Sequence, residues 1–172
     1  YSPLLLINAP ERACGKSVAL GLIAELAHSP FESANITVAA LFRIIEMYGP
    51  TVLIDEADTF LESNPEMAGI LNKGYEHRGV VVRVETIGDR LQPVPYRVFG
   101  PKAIAGIAME RRLADATLSR CVRVQMRRKV QGETVQRLRS ADRQKFNHMR
   151  SQMHRFVKDS QQELAKGHTD MP

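Results

Sequence analysis

The sequence predicts an α/β fold whose sheet is mostly parallel. Short apolar runs alternate along the chain with stretches that repeat apolar residues at helical spacing, and this alternation is typical of strands joined by crossover helices. The 172 residues correspond to about one domain. A hydrophobic share of 44% and a charged share of 25% exclude disordered and fibrous classes. The first residue is not Met, and a strand is expected at once, so we expect a fragment of a longer chain.

The first half of the chain predicts two strands and three helices. The continuous apolar run at residues 3–8 is typical of a strand buried on both faces. Thr37 can cap the second helix, and Ser63 or Asn64 can cap the third, with Pro65 in its first turn. In chain order we expect a strand over 3–8, a helix over 16–27 ended by Ser29 and Pro30, a helix over 38–48 ended by Gly49 and Pro50, a strand over 51–55, and a helix that begins after residue 64.

The second half predicts a hairpin and further strands. Residues 80–85 and 96–99 are β-type runs. The loop between them holds Gly88, Asp89 and Pro93, so we expect a hairpin over residues 79–99. After it we expect a strand over 103–108, a short helix over 110–118 and a strand over 121–126.

The last forty residues predict a basic helical tail. No Pro or Gly occurs from residue 133 to 166, so one long helix or two shorter ones are expected. Within it Phe146, Met149, Met153 and Phe156 recur at helical spacing, and we expect this seam to pack in a core.

The charge of the chain is concentrated in that tail. The formal net charge is +5, but residues 1–126 carry 13 Lys and Arg against 14 Asp and Glu, whereas residues 127–172 carry 11 against 5. A basic helix suits nucleic acid or an acidic partner surface, and a solvated helix face is the alternative.

Two features bear on location. Cys14 and Cys121 cannot form a disulfide framework, and no Cys or His cluster has metal-ligand spacing, which indicates a reducing compartment. No apolar run reaches the ~18 residues that a membrane-spanning helix needs. We therefore expect a cytoplasmic protein without membrane contact.

A candidate phosphate loop follows the first strand. Residues 4–17 have the sequence LLLINAPERACGKS, in which Gly-Lys-Ser opens a helix. Amides at a helix N-terminus attract anions, Lys16 can reach the β- and γ-phosphates, and the Ser17 hydroxyl can ligate Mg²⁺. Pro10 replaces the first glycine of the usual G-x-x-x-x-G-K-[ST] pattern, and a chance Gly-Lys-Ser is the alternative. The expected cofactor-binding residues are Arg12, Ala13, Cys14, Gly15, Lys16, Ser17 and Val18.

A second candidate motif ends the strand at residues 51–55. The run TVLIDEAD places Asp55 and Glu56 at the carboxyl end of a buried strand, and ligands of parallel sheets lie beyond such ends. Both motifs would therefore converge on one site, unless this is a plain strand end. Asp55 would hold Mg²⁺ with Ser17, while Glu56 would polarise the attacking water.

The nucleotide base is only partly specified. A GTPase would carry an Asn-Lys-x-Asp run, but Asn72 and Lys73 are followed by Gly74 and Tyr75. ATP is therefore favoured.

These motifs resemble the AAA+ class of P-loop ATPases. More narrowly, residues 4–128 resemble an uncharacterised domain family found in phage and plasmid primase or helicase proteins. The resemblance implies a three-layer α/β/α P-loop NTPase core over 1–128 with an inserted hairpin, and a basic tail or partial lid over 129–172. It rests on the runs ITVAALFR (36–43), GPTVLIDEADTF (49–60), LNKGYEHRG (71–79) and PKAIAGI (101–107).

The resemblance also implies an arginine that completes the site of a neighbouring subunit. Ser119-Arg120-Cys121 is similar to the clamp-loader form of this finger, and a planar, permanently charged fork suits the transferring phosphoryl group. Arg111 and Arg112 are rival fingers. Alternatively, Arg120 pairs locally with Asp115 or Glu110.

Two further parts follow from the resemblance. Some AAA+ helicases insert a hairpin that grips DNA, for which Arg90 would be the contact here, and an ordinary extension of the sheet is the alternative. The strand over 103–108 lacks the usual polar sensor of γ-phosphate at its end. Either Lys102 or Arg111 substitutes, or sensing is weak.

The expected function is Mg²⁺-dependent ATP binding and hydrolysis. The resemblance implies a homo-oligomer, a ring, that acts on single-stranded or forked DNA in the replication of a mobile element. Glu56 and Lys16 would be catalytic, with Arg120 acting on the neighbouring subunit. A nucleotide-dependent assembly module with little turnover is the alternative, and a phosphotransferase is a third class.

Overall fold

The computed structural model describes residues 1–59, 61, 64–135 and 143–166. The strands in these ranges are β1 (Leu4–Ala9), β2 (Pro30–Ser33), β3 (Thr51–Ile54), β4 (Val80–Ile87), β5 (Arg90–Arg97), β6 (Lys102–Ile107) and β7 (Cys121–Gln125). The α-helices are α1 (Lys16–Leu26), α2 (Val38–Tyr48), α3 (Pro65–Lys73), α4 (Asp115–Leu118), α5 (Arg143–Asp159) and α6 (Gln161–Lys166). Two 3₁₀ turns, Ala57–Thr59 and Met109–Arg111, follow β3 and β6.

Five strands form one sheet in the order β2-β3-β6-β1-β7, and every neighbouring pair in it is parallel. Strand β6 lies between β1 and β3, because Leu6 is opposite Ile104 and Leu53 is opposite Ala103. The predicted α/β class with a mostly parallel sheet is confirmed. We call the edge where these strands end the carboxyl edge and the opposite one the amino edge.

Helices flank both faces of this sheet. Leu6 and Ile7 are neighbours whose side chains point to opposite faces, yet they are 0% and 1% exposed, which requires cover on both sides. Leu6 packs in a cluster with residues of α2 and α3, whereas Ile7 packs with Leu20 and Ala24 of α1. The arrangement is compatible with three α/β/α layers.

Local signals position the helices as expected. The Thr37 side chain accepts a hydrogen bond from the Ala40 amide at 3.2 Å, and α2 ends at Gly49 with φ of 54°. Asn64 accepts from the Met67 amide at 3.0 Å, with Pro65 in the first turn of α3. Capping therefore fixes both helix starts.

Strand β2 was not predicted. Ser29 and Pro30 do end the first helical segment, but Pro30 also begins a strand of four residues beside β3. Proline is tolerated at the start of an edge strand, where it removes no ladder bond. Because β2 is short and half exposed, its apolar pattern is too weak to recognise.

The hairpin is confirmed, but its loop is shorter than predicted. β4 and β5 pair antiparallel around Gly88 and Asp89, and Pro93 lies within β5 opposite Val84. A ribbon with free outer edges accommodates a residue that has no N–H. The two strands form their own sheet and do not extend the main one. The ribbon packs on α2, where the rings of Phe42 and Tyr96 are 4.6 Å apart.

Two predicted helices differ in the structure. The segment over 110–118 is a 3₁₀ turn followed by the short α4, because Ala114 is extended between them. In the tail, residues 133–135 are not helical, 136–142 lie outside the described residues, and α5 and α6 follow. Within the described ranges, no helix has both the length and the apolar character needed to cross a bilayer.

The predicted packing of the tail seam was wrong. Met149, Met153 and Phe156 are 43%, 49% and 62% exposed. Helix α5 meets α1 through the Arg150 guanidinium, whose Nε donates to the Glu25 carbonyl at 3.0 Å. Phe146, one turn before Arg150, is half-buried, so helical spacing alone did not identify which seam residues are covered.

Lys102 is a buried cation at the amino edge. Lys102 is only 5% exposed, and its Nζ donates to the carbonyls of Val98 and Gly100 at 2.8 Å each. Burial lowers the pKa of Lys102 from 10.5 to about 8. Between these two values the unfolded chain holds more protons at this residue than the folded one, so the free energy of unfolding rises with pH.

We expect Lys102→Met to flatten that pH dependence. The wild-type chain should gain stability from pH 8 to pH 9.5 relative to the variant, measured by urea unfolding of both proteins at each pH. The difference in unfolding free energy between the two proteins cancels the contribution of titrating groups that both contain. One such group is Cys121, whose pKa burial raises to about 11. Parallel pH profiles for the two proteins would contradict the assignment.

Candidate functional site

The loop between β1 and α1 has a backbone suited to an anion. Ala13 and Gly15 have φ of 59° and 82°, both left-handed, and such turns direct successive amides toward one side. Gly15 occupies the N-cap of α1, and no side chain caps that end. The first amides of the helix therefore remain available to a ligand.

Lys16 lies across this loop. It is the first residue of α1, and its Nζ donates to the Glu11 carbonyl at 3.1 Å. The ammonium is thus held beside the amides. Cys14, in contrast, is buried, and Val18 is 54% exposed.

The end of β3 presents two carboxylates. Asp55 is half-buried, and its Oδ1 accepts from the Glu56 amide at 2.8 Å. Glu56 is exposed and has φ of 52°, a left-handed conformation that is strained for a residue with a Cβ. The Thr59 hydroxyl holds this turn by donating to the Glu56 carbonyl at 2.8 Å.

A cleft of about 440 Å³ at the carboxyl edge joins the two motifs. The structure thus brings together the loop, the start of α1 and the acidic strand end. The cleft does not include Cys14, Gly15, Val18 or Arg120. Its lining residues are Arg12, Ala13, Lys16, Ser17, Asp55, Glu56, Asp58, Thr59 and Ile107.

Two residues that support the site were missed. Asp58 lines the cleft, and its Oδ1 accepts from the Ile107 amide at 3.0 Å. Buried Asn8 accepts from the Met109 amide at 2.9 Å and donates to Gln125 Oε1 at 3.1 Å. Asp58 follows directly on the Asp55-Glu56-Ala57 run, which was a usable signal, whereas Asn8 sits inside an apolar run and gave none.

The cleft contains oxygen ligands that fit magnesium. Ser17 and Asp55 both line it, and Asp55 accepts the Glu56 amide through Oδ1. Magnesium in phosphate sites takes one or two protein oxygens and completes its shell with water and substrate oxygens. Across residues 1–59, 61, 64–135 and 143–166, no group of three or more His, Cys, Asp or Glu side chains could hold a metal ion.

Arg120 lies at the other edge of the sheet. It precedes β7, and its carbonyl accepts from the Leu4 amide at 3.0 Å, at the start of β1. Its guanidinium donates to the Ala116 carbonyl and lies 5.8 Å from the centre of the Tyr75 ring. It lines a second cleft of about 760 Å³ at the amino edge. Arg120 is therefore remote from the cleft of its own chain.

The structure bears on the alternatives for Arg120, Lys102 and Arg111. Glu110 is 3.4 Å from Arg123 and accepts from Gln125 at 2.6 Å, and Arg120 donates to the Ala116 carbonyl, so the alternative in which Arg120 pairs locally with Glu110 is not what the structure shows. Lys102 cannot substitute for a phosphate sensor, because it is buried at the amino end of β6. Arg111 follows β6 at the carboxyl edge and is exposed.

No protein-family model matches the chain, and no curated protein shows significant similarity to it. The functional assignment therefore depends on the chemistry of the cleft. Amides and an ammonium face two carboxylates there, an arrangement suited to a polyphosphate with a divalent cation.

We expect Gly106→Ala to disturb this site. A Cβ at Gly106 would lie 2.8 Å from Met109 Cγ and 3.0 Å from Asp58 Oδ1, and overpacking of this kind costs about 1–3 kcal/mol. Gly69→Ala is the matched control, since its Cβ would meet nothing within 4 Å. Chemical denaturation should show a loss of stability for Gly106→Ala alone, and equal stabilities would contradict the packing.

Proposed function

We propose that this chain is a P-loop ATPase of the AAA+ class that binds ATP with magnesium and hydrolyses it. One observation carries the proposal: a single cleft holds the Lys16 loop and the Asp55-Glu56 strand end together. The two strands that deliver them flank β6, so both motifs lie at the carboxyl edge. Ligands of open parallel sheets bind at that edge.

Each cleft residue has a role that its position supports. The loop amides and the Lys16 ammonium would bind the β- and γ-phosphate oxygens, displacing Lys16 from the Glu11 carbonyl. Ser17 and Asp55 would hold magnesium, which offsets phosphate charge when bound. The exposed Glu56 carboxylate would accept a proton from a water molecule while the oxygen of that water attacks the γ-phosphorus. The bond to the β–γ bridging oxygen then breaks, which releases ADP and phosphate.

The choice of ATP has indirect support. The Asn72-Lys73 pair that might have marked a guanine site ends α3, where Lys73 Nζ is 2.6 Å from Glu76 Oε2. The adjoining Tyr75 carbonyl accepts from the Ser2 amide, beside the amino end of β1. This pair is therefore at the wrong edge to contact a base in the cleft.

The position of Arg120 supports an assembly. A residue at the amino edge can reach a carboxyl-edge cleft only on another copy, in a head-to-tail contact of the kind that closes rings. We propose a homo-oligomeric ring that acts on DNA in mobile-element replication in the cytoplasm. The exposed Arg90 beside the hairpin turn and the basic tail are the candidate DNA contacts.

One observation favours a second candidate, a nucleotide-dependent assembly module with little turnover. Ile107 lines the cleft at the end of β6, where a polar side chain would sense γ-phosphate. Pro10 also departs from the usual loop pattern. ATP would then order the assembly without rapid hydrolysis.

Phosphate release with Glu56→Gln distinguishes these two candidates. Loss of a general base typically costs about 10²–10⁴ in rate, so the variant should still bind ATP but turn over at least ~100-fold more slowly. Glu163→Gln on the exposed α6 is the control and should match wild type. Chelation of magnesium should stop wild-type turnover. Rapid turnover by both wild type and Glu56→Gln would remove Glu56 from the mechanism. Wild type that binds MgATP but does not release phosphate would favour the assembly module.

Mixing inactive chains tests whether Arg120 acts between subunits. Arg120→Ala and Lys16→Ala chains should each be inactive alone. When mixed, some interfaces pair an intact cleft with an intact Arg120, so phosphate release should partly recover. Arg111→Ala mixed with Lys16→Ala tests the rival finger in the same assay. If no ratio of Arg120→Ala to Lys16→Ala restores activity, the role in trans is wrong.

A further inference from the structure

Arg128 contacts the phosphate loop from a distant part of the sequence. It follows β7, yet its Nε donates to the Arg12 carbonyl at 3.0 Å and lies 3.1 Å from Glu11 Oε1. The chain just before it is also attached to the site, since the Met126 amide donates to the Asn8 carbonyl at 2.7 Å. The segment after β7 is thus joined to both β1 and the loop.

The loop needs an outside anchor for a physical reason. Ala13 adopts a left-handed φ of 59°, which costs energy for a residue with a Cβ and persists only where neighbours enforce it. Pro10 stands where a conformationally free glycine is usual. Lys16 holds one peptide of this loop through the Glu11 carbonyl, and Arg128 holds the next one through the Arg12 carbonyl.

The Arg12 carbonyl fixes the direction of an amide. The carbonyl of Arg12 and the N–H of Ala13 belong to one planar trans peptide, so they point in opposite directions. When Arg128 binds that carbonyl, the Ala13 N–H is directed away from Arg128. Ala13 lines the cleft, so this peptide orientation decides whether its amide can serve an anion there.

We propose that Arg128 is a positioning residue that holds the phosphate loop in its anion-binding shape. The proposal rests on the proposed function, because the orientation of these amides matters only if the loop binds phosphate. Arg128 need not contact the nucleotide. Its hydrogen bond to the Arg12 carbonyl places the Ala13 amide, and its ion pair keeps the Glu11 carboxylate paired beside an anion site.

The adjacent Arg127 provides a matched control. It is the same residue type one position earlier, but it pairs with Glu133, with Nη1 2.9 Å from Oε2. The hydrogen bond from Arg127 lowers the pKa of Glu133 to about 2. Arg127 Nη1 also donates to the Arg128 carbonyl at 3.2 Å, but Arg127→Ala removes the same charge from the same segment without removing a contact to the loop itself.

Backbone dynamics without nucleotide test the contact directly. In Arg128→Ala, the amide ¹⁵N order parameters of residues 12–17 should fall from about 0.85, typical of rigid backbone, toward about 0.6, typical of flexible backbone. Arg127→Ala should keep the wild-type order parameters, and thermal unfolding of all three proteins checks that the fold is intact. Unchanged order parameters in Arg128→Ala overturn the proposal.

Calorimetry with MgATP then tests the consequence. The Kd should rise up to about fivefold in Arg128→Ala, since both partners of the contact are about half exposed and solvent weakens it, and stay near wild type in Arg127→Ala. Arg128→Lys should recover only part of the affinity, because both contacts are made by the guanidinium Nε and a lysine ammonium lies one bond farther along its side chain. Full recovery in Arg128→Lys would show that charge alone matters and would overturn the geometric role. A wild-type chain without affinity for MgATP overturns the proposed function, whereas the order parameters alone decide whether Arg128 holds the loop.

Discussion

Parallel pairing of β1 and β3 with the intervening β6 is the constraint on which the site depends. Because all three strands run in the same direction, the loop after Ala9 and the carboxylates after Ile54 emerge at one edge. A register that pairs Leu6 with Ile104 and Leu53 with Ala103 fixes how far each end extends. The distance between the Lys16 loop and the Asp55-Glu56 strand end is therefore set by the backbone hydrogen bonds of the sheet. These bonds are more rigid than contacts between loops.

Strain is concentrated at this same edge. Of the four non-glycine residues with positive φ among those described, Ala13, Glu56 and Ala108 follow β1, β3 and β6 in turn. Each strained turn has a neighbouring anchor: Arg128 on the first loop, Thr59 on the second and Asn8 beside the third. Strained conformations persist where surrounding structure enforces them, and they cluster at functional sites. The distribution of strain therefore supports a ligand site at the carboxyl edge.

Local chemistry made most of the fold predictable. Continuous apolar runs identified the buried strands, and Thr37 and Asn64 marked helix starts because a capping bond spans only three residues. Strand β2 escaped prediction because four half-exposed residues carry little pattern. The packing of the tail seam was predicted wrongly because periodicity identifies an apolar side of a helix but not what covers that side.

The candidate site was predictable where its residues are adjacent in sequence, as in the Lys16 loop and the Asp55-Glu56 pair. Contacts between distant residues gave no such signal: Arg128 meets Arg12 across 116 positions, and Asp58 meets Ile107 across 49. Isothermal titration of MgATP into wild-type and Lys16→Ala chains tests whether the cleft binds a nucleotide. We expect one saturable site in wild type and little or no heat with Lys16→Ala. Absence of heat from folded wild-type protein, or equal affinity in both chains, would contradict this expectation.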